Sequence, residues 1–176
     1  MEELWDIYDT NRQATGRLAK RDTYKFQKGE FHLITVAVII NSQKQILIAK
    51  RSETKKREPL KWELTGGGVR AGENTLQAIL RETMEEIGLK FEKDDAIFLK
   101  EIKEEKETGS GTFKDFWIFK SDAKIEEITF PDKEAKEAQW VTIEELLEMQ
   151  QNNKMISGLN FEKEDYELAL KKLQKS

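Results

Sequence analysis

The run HLITVAVII, His32 to Ile40, is rich in β-branched and apolar residues, and the polar NSQKQ separates it from a second apolar run, ILIAKR, Ile46 to Arg51. This pattern predicts two buried strands joined by a turn. Upstream, LWDIYDTNRQATGRLAK alternates apolar and polar residues on either side of a polar centre, the pattern of a hairpin. Downstream, KWELTGGG reads as a short strand running into glycine. IFLKEIKEEKE and TFKDFWIFKSD flank Gly109-Ser110-Gly111 as a long hairpin with a charged rim. In AQWVTIEELLEMQ a strand starts at Trp140 and gives way to a helix capped by Thr142, with Glu145 completing a capping box. Asn160 is expected to open a last helix that runs to about Leu173.

Between Gly72 and Gly88 the period changes to that of a helix, Glu73 to Ile87. Leu76, Ile79, Leu80, Thr83 and Ile87 form the core stripe. At roughly 100° per residue, Glu82, Glu85 and Glu86 fall within an arc of about 100° bordering that stripe. Their charge gathers near the helix C-terminus, where the macrodipole disfavours anions and like charges three or four apart repel. A solvated face with Glu85 paired to Arg81 is one explanation; a cation site is the other.

Strands mixed with three helices predict one α/β domain over residues 1–176, a mixed sheet with helices on both faces. Its parts are an N-terminal hairpin (1–28), a core (29–150) and a C-terminal helix (160–174). The chain has 176 residues, 38% hydrophobic, enough for one core. A net charge of -4 provides no basic field for nucleic acid, so none is expected as a partner. No apolar stretch approaches the ~18–20 residues of a membrane span and no signal-peptide pattern opens the chain, which implies a cytoplasmic protein without a membrane partner. The absence of cysteine removes thiolate nucleophiles and Cys-based zinc sites.

The loop before the acidic helix, TGGGVRAGE, holds four glycines in nine residues, so its backbone can approach a ligand closely. It lacks the Lys-Ser/Thr of a P-loop, so carboxylates here must meet phosphate through a cation. Oxygen ligands plus a loop carbonyl suit Mg²⁺ or Mn²⁺.

Taken together, Gly67, five residues, Glu73, seven residues, then RETMEEIGL from Arg81 to Leu89, resembles the Nudix box of MutT-type hydrolases. The upstream strand ending ILIAKR, the Trp before the glycines and EAQWVTIEEL downstream extend the resemblance over about residues 30 to 150. Thr83 replaces the usual aliphatic residue and Thr65 the frequent proline. The Thr83 hydroxyl is placed to bond back to a carbonyl one turn earlier.

The resemblance implies a Nudix α/β/α sandwich and hydrolysis of a nucleoside diphosphate linked to another moiety; a homodimer is the candidate assembly. It implies that Glu82, Glu85, Glu86 and the Gly66 carbonyl bind the divalent ion. Glu82, or a carboxylate outside the box, would assist deprotonation of water. Arg81 would orient Glu82, and Glu73 would support the helix–loop junction. The outside carboxylate is expected at Glu134, about six positions before Trp140, with Glu137 the near alternative.

Residues 1–50 also resemble isopentenyl-diphosphate isomerases of the same fold. Those use a cysteine and a histidine where this chain has Gly66 and Gly68, while His32 matches either another metal ligand or a structural residue. A non-catalytic Nudix binding module is the third reading. Phe113, Phe116, Trp117 and Phe119, with Trp5, Tyr8 and Tyr24, are core aromatics or stacking surfaces for a base. Lys50 and Arg51 either neutralise a phosphate or are solvated.

Overall fold

A computed structural model describes residues 3–21 and 23–175; Met1, Glu2, Asp22 and Ser176 of the expected 1–28 hairpin and 1–176 domain lie outside them. The strands are β1 (Leu4–Tyr8), β2 (Ala14–Lys20), β3 (Phe31–Ile40), β4 (Ile46–Arg51), β5 (Trp62–Glu63), β6 (Gly66–Gly68), β7 (Ile97–Glu105), β8 (Gly111–Lys120) and β9 (Ala135–Val141). The helices are α1 (Thr75–Ile87), α2 (Ile143–Gln151) and α3 (Lys163–Leu173).

β3 is the axis of a mixed sheet. β8 runs parallel to it over its whole length, from Phe31 opposite Gly111 to Ile40 opposite Lys120. Along its other side it meets β1 at Phe31, β6 at residues 34–36 and β4 at Ile40. β7 pairs outside β8, and β9 outside β4. Successive strand residues point to opposite faces, which explains the layers. Ala37 and Ile39 pack with Ile79 and Ile87 of α1, whereas Val38 and Ile40 pack with Leu146 of α2 and Tyr166 and Ala169 of α3. Helices therefore cover both faces, as the sequence pattern implies.

Near its start β3 is different. His32, Ile34 and Val36 are only half-buried and line a cleft. That uncovered half of the sheet becomes its floor.

α1 is tied down at its first turn. Asn74 caps it, accepting from the Gln77 N–H at 2.9 Å, so the helix begins at Thr75 rather than at Glu73. Thr75 donates its hydroxyl to buried Asp115 of β8 at 2.6 Å, and its carbonyl accepts from the Thr35 hydroxyl at 3.0 Å. Arg12, at the tip of the β1–β2 hairpin, grips the same Asp115 with both guanidinium amines at 2.7 and 2.6 Å. At the far end Gly88 adopts a left-handed φ of 70° and its N–H reaches the Thr83 carbonyl. The Thr83 hydroxyl donates to the Leu80 carbonyl at 3.1 Å, the expected bond back along the helix. Ile79, Thr83 and Ile87 of the stripe are buried, with Leu76 and Leu80 packed at its edge.

Two boundaries differ from expectation. β9 begins at Ala135, not Trp140, because its charged first half pairs with β4 as far as Arg51. The last helix begins at Lys163 with Glu162 as its N-terminal flank, not at Asn160. Asn160 holds a left-handed φ of 55° and its carbonyl accepts from the Lys100 ammonium at 2.8 Å, while Phe161 is buried. KWELTGGG resolves into two short strands, since Gly66–Gly68 pair with β3 themselves.

Candidate active site

The three glycines of β6 are extended, so their lack of side chains serves close approach rather than unusual φ. A Cβ on Gly67 would lie 2.6 to 2.9 Å from the Glu82 carboxylate; one on Gly68 would lie 2.8 Å from the Trp5 indole. Bare backbone lets the carboxylates of α1 reach the edge of the cleft on one side and the N-terminal hairpin close it on the other.

Arg81 organises the first carboxylate group. Its guanidinium donates to Glu73 at 2.9 Å through two nitrogens, to Glu82 at 2.7 Å, to Glu85 at 3.0 Å and to the Gly68 carbonyl at 3.3 Å. Burial opposes its charge, but the bonds to Glu73 and Glu82 outweigh this and hold it protonated. Glu73 also accepts the Arg70 N–H at 3.1 Å, closing the loop onto the helix. Glu85 shares its oxygens with the Arg70 guanidinium at 3.3 and 3.2 Å. Burial raises the proton affinity of Glu82, and Arg81 offsets part of that rise.

Glu86 belongs to a second group. It is 4% exposed and accepts the Gly66 N–H at 3.1 Å. Burial, then the charges of Glu63 and Glu82, push its carboxyl well above the usual carboxylate range, against the pull of Lys55. One oxygen each of Glu86, Asp132 and Glu134 lie within 4.8 Å of one another. The segment that brings the last two is fastened to α1: Thr129 N–H donates to the Ile87 carbonyl at 3.3 Å and Asp132 N–H to the Glu85 carbonyl at 3.2 Å. The Glu134 N–H then bonds Asp132 Oδ1 at 2.9 Å, and Lys55 forms an ion pair with Glu134. Burial raises the Asp132 carboxyl, with Lys55 pulling the other way.

Three hard carboxylate donors converging from a helix and a loop match the chemistry of Mg²⁺ or Mn²⁺. The residues present fit such an ion.

The sequence-level set is thus split in space. Glu86 and Glu134 come together; Glu82 and Glu85 line the same cleft but are held by Arg81. Gly66 lies against Glu86 through its N–H. Glu137 does not reach the cleft: it is half-exposed on β9 and pairs with Lys50 at 3.2 Å, so it is not an alternative to Glu134. Lys50 also lies 5.3 Å over the Trp62 ring. Arg51 is not merely solvated; it donates to both Glu63 oxygens at 2.9 and 2.8 Å in the cleft wall.

Asp132 and Glu63 escaped sequence reasoning. Asp132 reads as a turn former beside Pro131, although its position two before Glu134 was a usable signal. Glu63 sits in an apolar strand and only burial reveals it.

Phe113, Phe116 and Phe119 are core residues, and Trp117 packs edge-on to Phe98 at 5.2 Å. Tyr8 packs beside Phe31, and the Tyr24 hydroxyl donates to Glu30 at 2.9 Å. Trp5 alone of these lines the cleft. His32 stacks flat on it, 4.4 Å between centroids at 6°, and burial, with the nearby Lys106 charge, lowers its pKa to about 4. The cleft measures about 1080 Å³.

A mixed sheet between helices, with a glycine strand leading into an acidic helix at an open cleft, defines an α/β protein with a carboxylate-lined site. The NUDIX domain family model matches residues 30–158, and the chain belongs to the Nudix family. An uncharacterized Nudix hydrolase of Listeria monocytogenes is 33% identical over 159 residues, 89% of each chain. The crystal structure of DR0079 from Deinococcus radiodurans superposes with a TM-score of 0.73 at 22% identity, covering 96% of this chain and 98% of that one. An isopentenyl-diphosphate Δ-isomerase of Pectobacterium atrosepticum is 36% identical over 85 residues, 48% of this chain and 46% of its own. Family membership carries hydrolysis of pyrophosphate bonds as the general activity, usually with a divalent metal. Among the described residues no helix is long and apolar enough to cross a membrane.

Proposed function

We propose that this protein is a Mg²⁺- or Mn²⁺-dependent cytoplasmic hydrolase of a diphosphate linkage in a nucleoside diphosphate joined to another moiety. The observation that carries this reading is the convergence of buried Glu86 with Asp132 and Glu134 at an open cleft. Carboxylates this close, with one fully buried and Lys55 already paired with Glu134, still repel one another, and a divalent ion between them would relieve that repulsion. A divalent ion held there, with the Gly66 carbonyl, Glu82 and Glu85 as further ligands, would neutralise phosphate charge and align attack at phosphorus. Arg81 fixes the orientation of Glu82 through a 2.7 Å bond, while Glu73 anchors Arg81. Glu82 or Glu134 takes the proton of the attacking water.

The isomerase reading draws on the half-length match above, but the chain has no cysteine to serve as its proton carrier. The test is a panel of nucleoside diphosphates joined to sugars, nucleosides or pantetheine, together with isopentenyl diphosphate, each with Mg²⁺. Released phosphate or nucleoside monophosphate from at least one nucleotide, and no allylic product, is expected. Allylic product, or no nucleotide hydrolysis at all, would overturn the reading.

Glu134→Gln is expected to lower turnover or metal affinity by about tenfold or more, the low end of a positioned acid–base or ligand function. The loss should be partly relieved at higher pH, where hydroxide is more plentiful. Glu126→Gln, in an exposed turn, should behave as wild type. Equal activity of both variants would leave Glu82 as the base.

A further inference from the structure

The cleft continues well past the carboxylates, and its far end holds chemistry that cleavage of a diphosphate does not use. β3 and β8 are parallel and in register, so Val36, Ile34 and His32 stand beside Phe116, Lys114 and Thr112. These residues share one face of the sheet. Val36 is opposite Gly66, whose N–H holds Glu86. His32 lies four residues further along β3, about 13 Å at ~3.3 Å per residue. A ligand anchored by its phosphates at the carboxylates therefore crosses an apolar stretch, Val36 and Ile34, before meeting a polar row of His32 and Thr112.

Among the described residues three buried side-chain polar atoms have no hydrogen-bond partner: His32 Nδ1, Thr112 Oγ1 and Trp117 Nε1. The first two belong to register neighbours in that row, and both residues line the cleft. Buried polar atoms are nearly always paired, so two adjacent exceptions on a cleft wall call for a reason. The nearby Lys114 does not supply it, being engaged by Glu104 at 2.8 Å and by the Gly158 carbonyl at 2.7 Å. The His32 ring is neutral near pH 7 and so carries one donor and one acceptor nitrogen. Its plane is set by Trp5 on one side and by Phe26, 4.8 Å away.

We propose that His32 and Thr112 form the specificity end of the cleft, hydrogen-bonding a polar aromatic head, a nucleobase, on the moiety attached to the diphosphate. The proposal rests on the diphosphate-hydrolase reading and adds to it the residues that select the substrate. Both residues line the cleft, so a ring edge seated at this end would lie against the row that holds the two unpaired atoms. An isoprenoid tail would leave both atoms unpaired, and a site built to hydrogen-bond its ligand rejects an analogue that lacks the partner groups.

The test is calorimetric titration, with Mg²⁺, of ADP, GDP, CDP, UDP and geranyl diphosphate into wild type, His32→Phe and Thr112→Val. Phe keeps a ring against Trp5, and Val keeps the shape of Thr on a strand; thermal melts check folding, and if the first variant fails, the second tests the idea alone. Wild type should bind its best nucleotide at least tenfold tighter than geranyl diphosphate. Each variant should lose about tenfold for that nucleotide and nothing for geranyl diphosphate. A nucleotide-to-geranyl ratio that stays at the wild-type value in the variants overturns the assignment of His32 and Thr112 and leaves the hydrolase reading standing. A wild type that binds none of the diphosphates overturns both.

Discussion

Glu86→Gln should cut diphosphate hydrolysis by at least ~10²-fold, the scale expected when a positioned metal or acid–base function is lost. An outward-facing glutamate would allow the same substitution without structural cost because it packs against nothing. Here the reason is different. Glu86 is fully buried, faces Glu63 and Glu82, and gains one hydrogen bond from Gly66. Glutamine has nearly the same shape and no charge to bury, so the metal-free variant should unfold no more readily than wild type.

The pH dependence follows with a definite sign. An unfolded glutamate releases its proton near pH 4.3, whereas burial holds that of folded Glu86 to a higher pH. Between those values the folded state binds more protons, so its stability is greatest below about pH 4.3 and declines as pH rises through the raised range. Denaturant melts in EDTA at pH 5 and pH 8 should show this decline in wild type. It should be smaller in Glu86→Gln, where Glu63, also raised by burial, still contributes. Wild-type turnover in Glu86→Gln would remove this residue from the site.

Much of this arrangement was legible in the chain because it depends on local rules. The period of 73–87 marks a helix with its carboxylates along one border, and the Thr142 and Glu145 pair marks the start of α2, whose observed cap has those two residues bonded to each other. The Thr83 bond to Leu80 follows from helix geometry alone. What was not legible depends on partners distant in sequence. β6 is a strand only because Gly66–Gly68 find β3, and the charged start of β9 is a strand only because it finds β4. Helix geometry places Glu82, Glu85 and Glu86 together, yet Arg81 draws two of them toward Glu73 while Gly66 and the 129–134 segment claim the third. Asp132 joins the site through backbone bonds to the end of α1 that no periodicity encodes.

In EDTA, hydrolysis should fall to background and return on addition of Mg²⁺ or Mn²⁺ in excess. The reason lies in how the cationic side chains nearest the carboxylates are committed. Lys55 is paired with Glu134, Arg51 with Glu63, Arg70 with Glu85, and Arg81 with Glu73, Glu82 and Glu85 together. Lys55, Arg51 and Arg81 cannot move to a phosphate without uncovering a carboxylate that they neutralise, whereas half-exposed Arg70 shares Glu85 with Arg81. For Arg51 with Glu63 and Arg81 with Glu82, largely buried on both sides, taking one partner away is strongly destabilising. A diphosphate approaching the chelated protein therefore meets Glu86, Asp132 and Glu134 with Lys55, Arg51 and Arg81 committed and, of these cations, only Arg70 at the rim to meet it, and both binding and turnover should go. Isothermal titration of a nucleoside diphosphate in EDTA separates the two effects. Loss of heat there, together with loss of turnover, is the expected result; undiminished turnover in EDTA would show that the protein's own cations suffice and that these carboxylates serve another purpose.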